Sequence, residues 1–212
     1  MFILPDDIKK KVIVLESPPL SGKKEFIVKC VLSNLKKSKP IAIVLTDGSP
    51  EQLKEEMNSK KIELVQFEKK GLLMFVDCYS KHMGLKPPES QYIKRVSSPL
   101  ALNEISIALT EIKEFFLKKY DTFYVLLHSL SSMLMYSNIS TISRFIPPLI
   151  SKIKDSGGNI VFTVEQGMHD SNTIATIEHF ADIIIALKID EEKMMIKTRG
   201  LDLYKDWTEI KL

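Results

Sequence analysis

The strongest constraint on this chain is a rhythm of short, continuously apolar runs alternating with longer stretches whose apolar residues recur at helical spacing. The runs are residues 12–15 (VIVL), 41–45 (IAIVL), 72–76 (LLMFV), 123–127 (FYVLL), 159–164 (NIVFTV) and 183–187 (IIIAL). Residues 25–37, 102–119, 141–155 and 172–181 read as helices between them. Strands apolar at nearly every position are covered on both faces, and strands that alternate with helices build a mainly parallel sheet with helices on both sides. Residues 193–198 follow the last run too closely for a parallel crossover, which predicts a C-terminal antiparallel hairpin turning at Asp190, Glu191 and Glu192. Ser49, Pro50 and Gln52 form a capping-box signature that opens a further helix. Residues 79–99 contain Gly84, Pro87, Pro88 and Pro99 and read as a long functional or mobile loop. Pro147 and Pro148 are expected to kink or interrupt their helix. With no internal repeat and no low-complexity linker, residues 1–212 read as one α/β domain.

Composition narrows the class further. Hydrophobic residues at 44% and charged residues at 27% exclude a disordered chain. No apolar run is long enough to span a bilayer, and the first ten residues lack the apolar stretch of a leader sequence, so the expectation is a cytoplasmic protein without a membrane partner. Cys30 and Cys78 stand far apart without a CxxC pattern and read as buried free thiols. A formal net charge of +3 is too small to imply nucleic acid by itself, although lysine clusters such as Lys36, Lys37 and Lys39 leave that partner open. Arginine occurs only at Arg95, Arg144 and Arg199, which points to specific geometric duties.

In an open parallel sheet, ligands bind beyond the carboxyl ends of the strands. The first such segment is Ser17, Pro18, Pro19, Leu20, Ser21, Gly22, Lys23 and Lys24, between a strand and a helix. Against the phosphate-loop pattern G-x-x-x-x-G-K-[ST], only Gly22 and Lys23 match. Ser17 stands at the first glycine, and Lys24 at the hydroxyl residue that would hold Mg²⁺. Backbone amides at a helix start and two lysines still suit an anion: phosphate, sulfate, or the phosphate tail of ATP or ADP. The alternative is a decayed loop with a solvated lysine pair. Asp47 precedes Gly48 and reads equally as a turn residue. His128 at the end of its run reads as a structural histidine more readily than as a metal ligand. Gln166 follows the run 159–164, and Asp170 reads as a helix start. Lys197 and Arg199 lie two apart on a strand and so share a face. No spacing of His, Cys, Asp and Glu suggests a metal site.

Taken together, these segments resemble the archaeal KaiC-like, RecA-superfamily ATPases, including the RadA paralogues. The resemblance runs through Asp47-Gly48-Ser49-Pro50, the run ending His128-Ser129-Leu130-Ser131, the segment Glu165 to Asp170, and Lys197-Thr198-Arg199-Gly200, covering nearly the whole chain. It implies a RecA-like fold. Asp47 would occupy one of two acidic positions that activate water, with Gly48 at the other. His128 would replace the aspartate that fixes the magnesium shell, and Gln166 would be a nucleotide-state sensor. Lys197 and Arg199 would reach the nucleotide of an adjacent subunit. A neutral histidine supplies no negative charge for a metal, so Mg²⁺ is not expected to bind. The reading is a degenerate Walker A and Walker B domain: a non-hydrolysing, weakly nucleotide-binding regulatory or assembly subunit. It would form homo- or hetero-oligomers with RecA/KaiC-like subunits. An active but atypical ATPase and an accessory protein of DNA recombination or repair remain as alternatives.

Overall fold

A computed structural model describes residues 8–211, and residues 1–7 and Leu212 lie outside the described residues. The strands are β1 (Val12–Ser17), β2 (Ile41–Leu45), β3 (Leu73–Asp77), β4 (Ile93–Arg95), β5 (Tyr124–His128), β6 (Asn159–Glu165), β7 (Ile183–Asp190), β8 (Lys193–Arg199) and β9 (Thr208–Glu209). The helices are α1 (Lys23–Lys36), α2 (Pro50–Ser59), α3 (Val65–Lys69), α4 (Leu102–Leu117), α5 (Leu130–Tyr136), α6 (Ile139–Asp155) and α7 (Ser171–Glu178). All nine strands form one sheet in the order β4-β3-β2-β5-β6-β1-β7-β8-β9. Pairing is parallel from β4 through β7 and antiparallel for β7–β8 and β8–β9, as the apolar runs and the short last connection require.

The two sides of the sheet hold separate cores. Along β1, Val12 and Val14 face α4 to α7, where Phe116, Phe123 and Phe162 are fully buried. Ile13 and Leu15 face α1 to α3, with Phe26, Leu35 and Phe75. Side chains alternate across a strand, so a run that is apolar at every position supplies both cores at once. Each such burial contributes about 1.5–3 kcal/mol, which makes the central strands a rigid base for whatever their carboxyl ends carry.

Several local expectations change. The capping box forms as read: Ser49 Oγ accepts from the Gln52 amide at 3.1 Å, and Gln52 Oε1 accepts from the Ser49 amide at 2.9 Å. Residues 79–99 are not all loop, because Ile93–Arg95 pairs with Phe75–Asp77 as a three-residue edge strand. Too short for an alternation signal, it is held by the burial of Ile93. The single-turn α3 and the short α5 were invisible to helical periodicity for the same reason. Pro147 and Pro148 do not interrupt α6, which runs unbroken. Both prolines and Arg144 sit on its exposed side, where water can satisfy the carbonyls that lose their donors. Cys30 and Cys78 are free thiols, and burial pushes Cys30 up to about 12. Among the described residues no helix is long and apolar enough to cross a membrane.

Candidate functional site

The carboxyl ends of β1, β2, β5 and β6 open into a cleft of about 780 Å³ roofed by the β1–α1 loop and flanked by the first turns of α2. The loop leaves β1 at Ser17, which is fully buried beneath it. The chain then turns at Pro19 and Leu20, and Leu20 projects fully into solvent with φ 58°. Gly22 enters α1 in the left-handed conformation (φ 73°), which glycine adopts without the cost a Cβ brings. No side chain caps α1, so its first amides face the cleft without a side-chain acceptor. The Ser17 and Ser21 hydroxyls are buried with no hydrogen-bond partner among the described residues. These features fit a bound anion.

The lysines are engaged elsewhere. Lys23 Nζ donates to Glu165 Oε1 at 2.7 Å, with only 10% of the lysine side chain exposed. Lys24 turns outward to Glu56 on α2, and Glu56 also meets Lys60 at 3.2 Å. Hydrogen bonding to Lys24 outweighs a small desolvation and holds the Glu56 carboxyl below its ordinary range. Lys23 and Lys24 thus share the cleft wall with four carboxylates: Glu25, Asp47, Glu56 and Glu165. Formally the wall carries excess negative charge, which opposes a phosphate.

Asp47 lies exposed on this wall, with Ser132 Oγ at 3.4 Å. His128 ends β5 opposite Leu45, with its Nδ1 3.1 Å from Thr163 Oγ1. Burial, aided by Lys23 and Lys24 against the pull of Asp47, lowers its pKa below the ordinary histidine value, so the imidazole is neutral at neutral pH. Neither a neutral imidazole nor the outward-turned Lys24 provides an oxygen ligand for Mg²⁺. Among the described residues no group of three or more His, Cys, Asp or Glu side chains converges as a metal site.

Gln166 is not brought into this cleft. Its amide turns to Glu16 on β1, Nε2 to Oε2 3.5 Å. Lys197 and Arg199 do share a face of β8, opposite Ala186 and Ile184. Arg199 is 56% exposed and pairs with Glu178 of α7 in its own chain. Gly200 follows because φ is 78° and a Cβ there would meet the Asp182 carbonyl at 2.1 Å.

Three residues that matter here drew no notice as candidates. Glu165 is an acid at the end of an apolar strand, facing a loop lysine, and that position was the available signal. Ser131 Oγ accepts from the Glu165 amide at 2.9 Å and lies 2.9 Å from His169 Nε2, so it braces the carboxylate strand end. Glu16 is 4% exposed with one oxygen unpartnered. Desolvation, with the Glu178 carboxyl beside it, raises its pKa to about 7.

A nine-stranded, mainly parallel sheet with a loop-to-helix junction at β1 and an antiparallel C-terminal hairpin defines a RecA-like α/β fold. The fold is shared with a KaiC-like protein from Pyrococcus horikoshii (TM-score 0.70, 14% identity, 95% of this chain and 84% of that one). It is also shared with an uncharacterized P. horikoshii protein solved with an unknown peptide (TM-score 0.74, 14% identity, 97% and 89%). In sequence, the chain is 22% identical over 185 residues to a UPF0273 protein of Aeropyrum pernix, spanning 86% of this chain and 71% of that protein. Residues 42–187 match DUF7504, a family of unknown function, and the chain belongs to that family.

Proposed function

We propose that this chain is a P-loop domain that has given up magnesium-dependent hydrolysis and serves as a regulatory or assembly subunit. The observation that carries the reading is the Lys23–Glu165 ion pair: the loop lysine is neutralised by a carboxylate of its own chain. Three further features support it. His128 offers no negative charge where the resemblance expects a metal-fixing aspartate. Lys24 stands at the Mg²⁺ hydroxyl position and turns away to Glu56. Asp47 is a lone, short acid beside Gly48. Positioning and electrostatic stabilisation supply nearly all of phosphoryl-transfer catalysis, and loss of one such element can cost about 10²–10³ in rate.

The uncapped α1 amides and the unpartnered Ser17 and Ser21 hydroxyls support weak, metal-independent anion binding, with phosphate, sulfate, ATP or ADP as ligands. The shared face of half-buried Lys197 and exposed Arg199 supports a role toward a neighbouring RecA/KaiC-like subunit, in a homo- or hetero-oligomer. Arg199 would have to leave Glu178 to act there. The Pyrococcus neighbour solved with an unknown peptide is a precedent for a protein ligand on this fold.

The test is calorimetric titration of ATP, ADP and inorganic phosphate into wild type and Glu165→Gln, each with and without Mg²⁺. Freeing Lys23 from its carboxylate should tighten anion binding about tenfold or more, and Mg²⁺ should change neither protein's affinity. Tight, magnesium-dependent ATP binding by the wild type would overturn the reading.

A further inference from the structure

A second site lies on the opposite side of the sheet from α1. A groove of about 400 Å³ runs between the first turns of α4 and the first half of α6. Its floor is apolar, from Leu102, Phe145 and Leu149, and its rim carries Arg144. Arg144 is exposed and has no ion pair or hydrogen bond among the described residues, in contrast to Arg95 and Arg199. Close by, Lys152 Nζ donates only to the hydroxyls of Ser106 and Thr110, at 3.0 and 3.1 Å. Among the described residues no carboxylate lines the groove. Pro147 and Pro148 add to it, because they leave the Ser143 and Arg144 carbonyls without their helical donors on the same exposed side. The groove therefore offers a cation, free backbone acceptors and an apolar floor, a set that suits an acidic segment with an apolar residue.

The same chain displays such a segment. β7 and β8 are joined by a two-residue turn between Asp190 and Lys193. Both turn residues are glutamates in the left-handed conformation, Glu191 with φ 47° and Glu192 with φ 64°. Turns of this kind favour Asn-Gly, because side chains other than glycine, asparagine and aspartate resist positive φ. Placing two glutamates there costs stability and gains only an exposed pair of charges, and backbone strain of this kind concentrates at functional surfaces. Neither glutamate has an ion-pair partner among the described residues, and Ile189 beside them is 46% exposed.

We propose that the Glu191–Glu192 hairpin tip of one copy docks into the Arg144 groove of a second copy. Within one chain the two do not meet, since no hairpin residue lines the groove. The contact is head-to-tail, so a docked pair keeps one free tip and one free groove, and the assembly closes into a ring or grows as a filament. The inference rests on the reading of this chain as an assembling subunit. It is independent of whether the β1–α1 loop takes an anion, so the experiment is done without nucleotide.

Sedimentation velocity of the full chain over a range of concentrations is the test. Wild type should form concentration-dependent oligomers, with affinity falling as salt rises. Arg144→Glu alone, and Glu191→Lys with Glu192→Lys, should each weaken association by about tenfold or more. Mixing these two charge-reversed proteins, or combining all three substitutions in one chain, should restore assembly. All the substituted side chains are exposed, and circular dichroism should show wild-type folding for every variant. A wild type that stays monomeric overturns the proposal, as do oligomers indifferent to both reversals. Sensitivity to only one reversal, or failure of the reversed pair to reassociate, means that the groove and tip meet other surfaces and overturns the pairing.

Discussion

Two charge clusters sit at the carboxyl edge of this sheet, and they are built to opposite ends. At the β3–β4 corner, Arg95 meets Asp77 and Glu51, and also donates to the Pro88 carbonyl at 3.0 Å. Asp77 is fully buried and accepts from the Tyr79 and Ser80 amides at 3.0 and 2.9 Å. Arg95 thus joins two carboxylates and a backbone carbonyl, although its Nε, Glu51 Oε2 and the Ser80 hydroxyl are buried without hydrogen-bond partners among the described residues. At the β1–α1 loop, a single lysine meets a single carboxylate amid uncapped amides and buried hydroxyls without partners. The corner pairs its charges across β3, β4 and α2, whereas the ion pair of the loop borders a cleft of about 780 Å³. Buried groups without partners occur in both clusters, so the difference teaches that what separates a strand-end ion pair with room for a ligand from a structural one is the cavity beside it.

The comparison is most exposed to attack at the corner. Arg95→Ala should cost about 3–5 kcal/mol in chemical denaturation, because it strands the buried Asp77 carboxylate. A loss under about 1 kcal/mol would show that the corner is no staple. In the cleft, Glu165→Gln keeps a hydrogen-bonding group opposite Lys23, so its stability loss should be smaller, about 1–2 kcal/mol. Saturating phosphate should return part of that loss, whereas Arg95→Ala should gain nothing from phosphate. Equal phosphate responses would erase the distinction between the two clusters.

Glu16 sharpens the comparison through pH. Its folded pKa is raised to about 7 from an ordinary 4.5, desolvation first and the Glu178 carboxyl second. The native state therefore holds a proton that the unfolded chain has released. The stabilisation is fully present below about pH 4.5 and is lost as pH rises through about 7. Glu16→Gln should match the wild type near pH 4.5 and exceed it by about 1–2 kcal/mol at pH 8, a figure reduced for solvent screening. The readout is the difference between the two thermal-denaturation profiles against pH, and a constant difference would refute the assignment. The smallest effect belongs to the surface: Lys24→Ala breaks a half-exposed pair with Glu56 and should cost about 0–1 kcal/mol, vanishing at high salt.

The fold was legible because its information is local and redundant. Each central strand is a run such as IAIVL that no amphipathic helix would carry, and Ser49, Pro50 and Gln52 spelled out a helix start that forms as written. The elements that escaped, α3, β4, α5 and β9, are each shorter than the period needed to see them. The site was only half legible. The loop from Ser17 to Lys24 could be found by its place between a strand and a helix. The partners of its lysines could not, because Glu165 lies 142 residues from Lys23 and Glu56 lies 32 from Lys24. Gln166 illustrates the same limit: its strand end was recognisable, but the backbone sends its amide toward Glu16 and not into the cleft.

The central claim is that the loop lysine is held by its own chain and that no magnesium-assisted turnover remains. The most direct measurement is radiolabelled ATP hydrolysis by purified wild type and Lys23→Ala, with and without Mg²⁺. The account predicts the same background rate in all four conditions. Magnesium-dependent turnover in the wild type that disappears in Lys23→Ala would contradict it.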